Sequence, residues 1–262
     1  MSAGKQRIDG QQAYILHSYP YSETSLILDV FSRQHGRLPL LARGARRPRS
    51  ALRGVLMAFQ PLELGWFGSG EVRTLAKAEW MGGIPLLTGS SLMLGYYLNE
   101  LILKLLPRDD AHPALFDNYV AALRSLSLPE RGSQPRVSSP VFSALLRRFE
   151  KNMLKELGYG LMLERDALND RPIDAEGRYH YRLECGPVQM DADEENMGLA
   201  VVTETRRMQA IRGKTLLDLA SDDYSDPQTL MESKLLMRLL INHHLAGKPL
   251  QSRRIYMELQ EL

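Results

Sequence analysis

Cysteine is nearly absent from this chain, in which Cys185 is the only one among 262 residues. A single thiol excludes an internal disulfide and any metal site built from two or more thiolates, which argues against secreted disulfide scaffolds and zinc fingers. Long apolar runs are also lacking, because no stretch approaches the roughly 18 to 20 residues that cross a bilayer. Residues 1–12 are polar and do not resemble a signal peptide. We therefore expect a cytoplasmic protein.

Acidic residues are missing from one region. Between Val30 and Leu62 the sequence has no Asp or Glu but seven arginines, Arg33, Arg37, Arg43, Arg46, Arg47, Arg49 and Arg53. The stretch carries a charge of +7 and the whole chain +2, so the remainder sums to −5. Because guanidinium can bind a phosphate through two parallel hydrogen bonds, the pattern favours a polyanion such as a nucleic-acid backbone. The alternative is a solvated arginine-rich loop.

From Ala13 to about Glu79 the hydropathy pattern has a period of two residues, which is typical of strands. Turn signals separate five candidate strands, Ala13–Tyr19, Ser25–Phe31, Arg37–Arg43, Met57–Phe67 and Glu71–Glu79. Five short strands in about 70 residues are too few for a two-sheet sandwich, but they can close into a small barrel that presents one face to single-stranded nucleic acid. The sequence predicts such a domain over residues 1–82.

After Gly82-Gly83 the period changes to that of helices, so we expect a mainly α-helical domain over residues 83–262 and an α+β protein overall. The clearest helices are Ser90–Leu106, Pro113–Leu126, one from Ser139-Pro140 to Gly158 and one from Asp226-Pro227 to Gly247. Residues 164–195 hold ten acidic residues against four arginines. This composition predicts a loop or short hairpin inserted around 164–200.

No constellation of catalytic residues emerges from the sequence. Gly213-Lys214-Thr215 resembles the end of a phosphate-binding loop, but Met208 stands where the required glycine would be. His243 and His244 are adjacent on a predicted helix and point about 100° apart, which is poor geometry for joint metal ligation. We expect binding without bond chemistry, and no cofactor or metal. Two alternatives stay open: a metal-dependent nucleic-acid-processing enzyme that uses the scattered acidic residues, and an RNA-binding module.

Short motifs occur along nearly the whole chain in a characteristic order. In the first third they are Tyr21-Ser22-Glu23-Thr24-Ser25, His35-Gly36-Arg37, Ala42-Arg43-Gly44-Ala45-Arg46, Ser50 and Gln60-Pro61. Further along they are Asn99-Glu100-Leu101, Leu115-Phe116, Leu146-Arg147-Arg148-Phe149-Glu150, Leu157-Gly158-Tyr159 and Gly247-Lys248-Pro249-Leu250-Gln251-Ser252-Arg253. Any one motif is weak, but together they resemble the RecO family of bacterial recombination mediators.

The resemblance implies an N-terminal OB-fold, the five-stranded barrel that binds oligonucleotides, and a helical C-terminal domain. It also implies binding of single- and double-stranded DNA, annealing of complementary strands, and a nucleoid-associated role in the bacterial cytoplasm. The implied protein partners are RecR and the C-terminal tail of the single-stranded-DNA-binding protein SSB, with a functional link to RecA loading. Some members of the family carry a four-cysteine zinc site in the region of residues 164–195, and with Cys185 alone we expect no structural zinc here.

Eight cations are the predicted DNA contacts. Six belong to the basic stretch, and Arg73 and Lys77 extend them, since their even spacing on the last predicted strand places both on one face. The eight are Arg37, Arg43, Arg46, Arg47, Arg49, Arg53, Arg73 and Lys77. Most of the aromatic residues nearby are expected in the core. Tyr19 and Tyr21, which flank Pro20, are the expected platforms for base stacking.

A second basic cluster lies in the predicted helix after Pro140. Arg147, Arg148 and Lys151 have apolar neighbours, and we expect them to form a basic groove with an apolar floor. The resemblance implies that the helical domain receives the SSB tail, which is acidic and ends in an apolar residue with a free carboxylate. A cation beside a hydrophobic pocket suits such a tail, so the three residues are the predicted partner site, with Arg147 foremost.

Overall fold

A computed structural model of the protein describes residues 7–128, 139–190 and 210–260, with side chains as far as Ile255. Five strands close into a barrel in the order β1-β2-β3-β5-β4. They are β1 (Arg7–Tyr21), β2 (Ser25–Ser32), β3 (Gly36–Ala42), β4 (Leu62–Phe67) and β5 (Arg73–Trp80). The predicted five-stranded barrel and the α+β class are confirmed.

Alternation along the strands fills the barrel interior. β2 and β3 pair antiparallel without interruption from Leu26 opposite Ala42 to Ser32 opposite Gly36, and alternate residues point inward. The core contains Leu28, Val30, Leu38, Leu40, Leu62, Leu64 and Trp66, all buried. A short helix, α1 (Leu52–Val55), follows β3. β4 begins later than predicted, at Leu62, because Ala58 forms only an isolated bridge to Ile15 and the chain then turns at Phe59, which has a positive φ of 64°.

Two helices cover part of the outer face of the barrel, α2 (Gly89–Leu105) and α3 (Pro113–Ser127). The rings of Tyr14 and Phe31 point outward and pack on Phe116 and Tyr119 with centroid distances between 5.3 and 6.0 Å. Asn99 on α2 donates to the carbonyl of Leu16 at 2.8 Å, which ties the helix to β1. This face of the barrel is therefore occupied by protein.

The chain divides into two compact units, Met1–Val137 with Lys248–Leu262, and Ser138–Gly247. The division differs from the boundary predicted at residue 82, which falls just after β5. α2 and α3 contribute aromatic residues to the outside of the barrel, so they belong with it.

In residues 139–190 and 210–247, the second unit combines three helices with a small sheet. The elements are α4 (Pro140–Glu156), β6 (Arg178–Arg182), β7 (Gly186–Gln189), β8 (Ile211–Arg212), α5 (Gly213–Ser221) and α6 (Pro227–His244), with sheet order β7-β6-β8. Asp226 accepts from the Gln228 backbone N–H at 2.8 Å, as the Asp-Pro start of α6 predicts. The β6–β7 hairpin lies inside the acidic segment, and residues 191–200 of that predicted insertion lie outside the described residues. α5 was not predicted.

A final helix, α7 (Gln251–Gln260), packs in the first unit. Glu100 on α2 accepts hydrogen bonds from the backbone N–H groups of Gln251 and Ser252, both at 2.8 Å. These bonds satisfy donors that the first turn of a helix leaves without intrahelical partners. Within the described residues, no helix combines the length and apolar character needed to cross a membrane.

Candidate nucleic-acid interface

Residues 43–53, hereafter the basic loop, leave the end of β3 and fold back on themselves. The backbone N–H of Arg47 donates to the carbonyl of Gly44 at 3.1 Å, that of Ser50 to Arg47 at 3.0 Å, and that of Arg53 to Ser50 at 3.2 Å. Each bond spans three residues, which is the pattern of a β-turn. Three successive turns, the last of which leads into α1, give the backbone of the loop a defined shape.

The basic loop is attached to the barrel through its first residues. Ala45 is 1% exposed and packs in the barrel core. Arg46 binds the β1–β2 turn twice, through its backbone N–H to the carbonyl of Thr24 at 2.8 Å and through Nη1 to the carbonyl of Ser22 at 3.2 Å. The start of the basic loop is therefore packed and hydrogen-bonded to the barrel at this end.

The guanidinium groups of the loop are not neutralised by the protein. Arg43, Arg47, Arg49 and Arg53 are exposed, and no carboxylate among the described residues forms an ion pair with them. The positive charge of these four arginines is therefore available to an external anion.

Arg37 lies apart from this loop on β3, where it is half-buried. Burial lowers the pKa of its guanidinium, as does the charge of Arg108, while the carboxylate of Asp29 acts in the opposite direction. Asp29 is itself buried. Arg37 thus faces an internal carboxylate, which makes it a weaker candidate for phosphate contact than the loop residues.

Arg73 and Lys77 do not share a face, and that expectation was wrong. Leu75 and Ala78 both pack against the barrel core although they are three residues apart, because a β-bulge interrupts the β4–β5 register between them. Arg73 lies two residues before Leu75 and is therefore on the same face of the strand as Leu75. Lys77 directly precedes Ala78 and therefore points to the opposite face, away from the core.

Arg73 and Lys77 are also both paired. Arg73 bonds Asp109, and Lys77 lies 3.0 Å from Glu79 and 3.7 Å from Glu63. Asp109 comes near because the segment after α2 lies against β3, where a Cβ on Gly36 would overlap the carbonyl of Asp110. The patch predicted on β5 is therefore neutralised.

Two aromatic residues remain exposed near the basic loop. Tyr19 is 45% and Tyr21 50% exposed, and Tyr21 directly precedes Ser22, which accepts from Arg46. The ring of Tyr19 contacts His17 edge-on at 4.4 Å, and burial raises the pKa of its phenol. Most of the other aromatic residues of the barrel lie in the interior or under the helices, as expected.

The predicted partner cluster on α4 has a different structure from the expected groove. Arg147 is buried, with a side chain 7% exposed, and Nη2 lies 2.6 Å from Oε1 of Glu150, whose side chain is 1% exposed. Lys151 donates to the carbonyl of Leu219 at 2.7 Å and pairs with Asp222 at 2.7 Å, which fixes the end of α5.

Arg148 is the exposed member of the cluster. Its guanidinium carbon lies 5.8 Å above the ring of Tyr224, and its side chain is 53% exposed. Of the apolar neighbours, Met153 and Leu154 belong to the interior. The expectation of three solvent-facing cations over an apolar floor was therefore wrong.

The region of the β6–β7 hairpin does not have the ligands for a four-cysteine zinc site, since Cys185 is the only cysteine. Asp166 organises the region instead, by accepting from the backbone N–H groups of Leu168, Asn169 and Gln189 at 2.7 to 3.1 Å. Burial acts to raise the pKa of Asp166, but these donors outweigh it and the pKa is lowered. Within the described ranges, no group of three His, Cys, Asp or Glu side chains is arranged to hold a metal ion.

Sequence reasoning missed the small residues that shape the interface. Gly44 has a positive φ of 66° and begins the first turn of the basic loop, and Ala45 anchors it. A signal was present, because Gly-Ala interrupts the arginines at a point where solubility alone would not require small residues. No such signal in the sequence marked the carboxylate that neutralises Arg73, because Asp109 is 36 residues away along the chain.

Comparisons with known proteins agree with the architecture. The family model described as Recombination protein O N terminal matches residues 9–84, and the one described as Recombination protein O C terminal matches residues 87–254. Proteins named DNA repair protein RecO are similar over the full length. The one from Aromatoleum aromaticum is 53% identical over 98% of this chain and 99% of its own. The one from Dechloromonas aromatica is 54% identical with the same coverage, and the one from Nitrosospira multiformis 44% identical over both whole chains.

Proposed function

The chain belongs to the RecO family of recombination proteins, and on this premise we propose that it is a non-enzymatic mediator that binds single- and double-stranded DNA and anneals complementary strands. The family match assigns it to DNA repair and recombination. The observation that carries the proposal is the basic loop, where four exposed arginines on an ordered backbone have no carboxylate partner among the described residues.

Annealing follows from this charge distribution. Two strands repel each other through their phosphates, and arginines that neutralise phosphates release condensed counterions and reduce the repulsion. Base pairing then supplies the free energy of the product, so the protein needs neither nucleotide nor metal. Contacts to the backbone carry no sequence information, which suits a mediator that must accept any DNA. Tyr21, exposed beside the loop, adds a surface for base stacking.

The protein partners in this proposal are RecR, SSB and, through them, RecA. The SSB tail is acidic and ends in a free carboxylate, and it requires an accessible cation with apolar surface beside it. Arg148 is the most accessible of the three cations, with a side chain that is 53% exposed and a guanidinium that lies over the Tyr224 ring. Its Nε lies 3.9 Å from Asp222, whereas Arg147 and Lys151 are held in shorter and more buried ion pairs. We therefore assign the docking cation to Arg148. We propose that the protein acts in the bacterial cytoplasm, at the nucleoid.

An annealing assay tests the proposal. Complementary oligonucleotides, bare and coated with SSB, are mixed with the protein in the presence of a chelator and without nucleotide, and duplex formation is followed by fluorescence energy transfer. Faster annealing on both substrates is expected. Annealing that requires a divalent ion, or cleavage of the strands, would favour a nucleic-acid-processing enzyme instead. A parallel series with matched RNA strands decides between a DNA mediator and an RNA-binding module.

A further inference from the structure

The basic loop borders a recess that is open to solvent. The recess has a volume of about 340 Å³ and is lined by Arg43, Gly44, Arg47, Arg49 and Ser50. Three of the five lining residues are arginines, and the other two are small. Diffuse attraction of a polyanion needs positive charge on the surface, but it does not need three arginines to line one recess.

The recess is shaped by the backbone turns of the loop. Hydrogen bonds link Gly44 to Arg47 and Arg47 to Ser50, so these three residues stand at the ends of successive turns, where the chain returns close to itself. A Cβ on Gly44 would lie 3.4 Å from Cδ and Nε of Arg47. The side chain of Arg47 thus crosses directly over the α-carbon of Gly44. Glycine at this position permits the positive φ, while the approach of Arg47 is at ordinary van der Waals distance.

We propose that this recess is a discrete binding site for one phosphate group. Three like charges around one cavity repel each other, and an anion placed between them turns this repulsion into attraction. A tetrahedral phosphate presents several acceptor oxygens, so it can bind more than one planar guanidinium at a time. The hydroxyl of Ser50 supplies a further donor. The inference rests on the proposed function in one respect, because DNA is the molecule that would present the phosphate.

Two sources of phosphate share this chemistry. An internal phosphodiester carries one negative charge, while the terminal phosphate of a DNA strand carries about −1.5 to −2 at neutral pH, as phosphate monoesters do. Both present unesterified oxygens to the recess. The site is therefore defined by the phosphate group, and the experiment must distinguish the two sources.

A titration of the full chain with inorganic phosphate tests the site without DNA. The arginine Nε–Hε signals are followed by NMR, at constant ionic strength maintained with chloride. We expect a saturable change in the signals of Arg43, Arg47 and Arg49, and little change in that of Arg53, which does not line the recess. Absence of saturation, or an equal change at Arg53, would overturn the proposal in favour of a diffuse charged surface.

Charge-conserving variants separate geometry from charge. Arg47→Lys keeps the positive charge but removes the planar fork, and we expect it to weaken phosphate binding at least fivefold. Arg53→Lys is the matched control, and it should change the affinity for inorganic phosphate less than twofold. Equal losses in the two variants would contradict a discrete site.

Oligonucleotides with a 5′-phosphate or a 5′-hydroxyl then identify the source. Tighter binding of the phosphorylated strand, lost in Arg47→Lys, supports the site with a terminal phosphate as its ligand. Equal binding that inorganic phosphate competes away supports it with an internal phosphodiester. DNA binding and annealing that persist without any phosphate binding by the recess would overturn this inference and leave the proposed function intact. Phosphate binding without annealing would support the phosphate site and contradict the proposed annealing function.

Discussion

The basic loop and the cationic cluster on α4 look alike in the sequence, yet they differ in what surrounds each cation. In the loop, Arg47 and Arg49 are exposed and form no ion pair with a carboxylate among the described residues. On α4, Arg147 is paired with Glu150 in the interior and Lys151 with Asp222. One region therefore offers its charge to other molecules, and the other uses most of its charge to hold the second unit together.

The difference shows that carboxylates within reach decide the role of a basic residue. Glu150 lies one helical turn from Arg147, and Asp222 reaches Lys151 and Arg148 from a position about 70 residues later in the chain. No acidic residue occurs between Val30 and Leu62. Arg33, at the edge of that stretch, is nevertheless bound by Asp117 from α3 at 2.9 Å. A cation in a segment without acidic residues thus stays unpaired only if the fold also keeps it away from the carboxylates of other segments.

The largest expected effect comes from breaking the buried pair on α4. Arg147→Ala removes the guanidinium that lies 2.6 Å from the buried carboxylate of Glu150, and we expect the free energy of unfolding to fall by about 3 to 5 kcal/mol. Arg47→Ala in the basic loop removes an exposed side chain, and the free energy of unfolding should change by no more than about 0.5 kcal/mol. Urea denaturation followed by circular dichroism measures both values.

An apolar double substitution is the control for this prediction. Arg147→Met with Glu150→Leu removes both charges and keeps the volume, so the loss of stability should be much smaller than in Arg147→Ala, or absent. If Arg147→Ala and Arg47→Ala prove equally mild, the contrast drawn between the two regions is wrong.

The next effect compares two sets of three cations on the first unit. The triple substitution of Arg43, Arg46 and Arg47 by alanine removes three phosphate contacts, which should flatten the salt dependence of single-stranded DNA binding by about two logarithmic units per decade of salt. At 0.1 M salt this corresponds to a loss of affinity on the order of 100-fold. Fluorescence anisotropy with several oligonucleotide sequences measures both, and the loss should be similar for all of them.

The matched control removes the same charge from paired positions. Arg33, Arg73 and Lys77 each bind a carboxylate, so their joint replacement by alanine should change the salt slope by less than half a unit. The control also tests the prediction that Arg73 and Lys77 contact DNA. A slope that falls equally in both triple variants would show that net charge matters and that pairing does not.

The sequence predicted those parts of the fold that depend on local patterns. Alternation in Ser25–Phe31 and Arg37–Arg43 identified β2 and β3 to within one residue at each end, because residues facing a closed barrel core must be apolar at every second position. Proline at the first helical position located the starts of α3, α4 and α6. These signals lie within a few residues of the structure they specify.

Features that depend on distant neighbours were not predictable. The pairing of Arg73 with Asp109 requires that the segment after α2 lie against Gly36, which no local pattern reveals. Arg147 was expected in a basic groove because it lies near Lys151 and has apolar neighbours, yet a buried arginine with a partner at i+3 has the same sequence pattern as an exposed one. The basic loop was predictable because charge composition is local, but its turns and its recess depend on the anchoring of Ala45 in the core.

The smallest expected effect concerns Arg148, the one member of the α4 cluster that resembles the loop arginines in its exposure. Arg148→Glu reverses a charge beside Tyr224 without opening a cavity, so the stability should change by about 0.5 kcal/mol or less. Binding of a fluorescent peptide with the sequence of the SSB tail should weaken about two- to fivefold, as for the loss of one partly solvated ion pair. DNA affinity should be unchanged. Arg165→Glu, which reverses an exposed charge elsewhere in the second unit, is the control. Equal weakening in the two variants would mean that the acidic peptide senses only the overall charge of the unit, and unchanged binding in both would place its docking site away from α4.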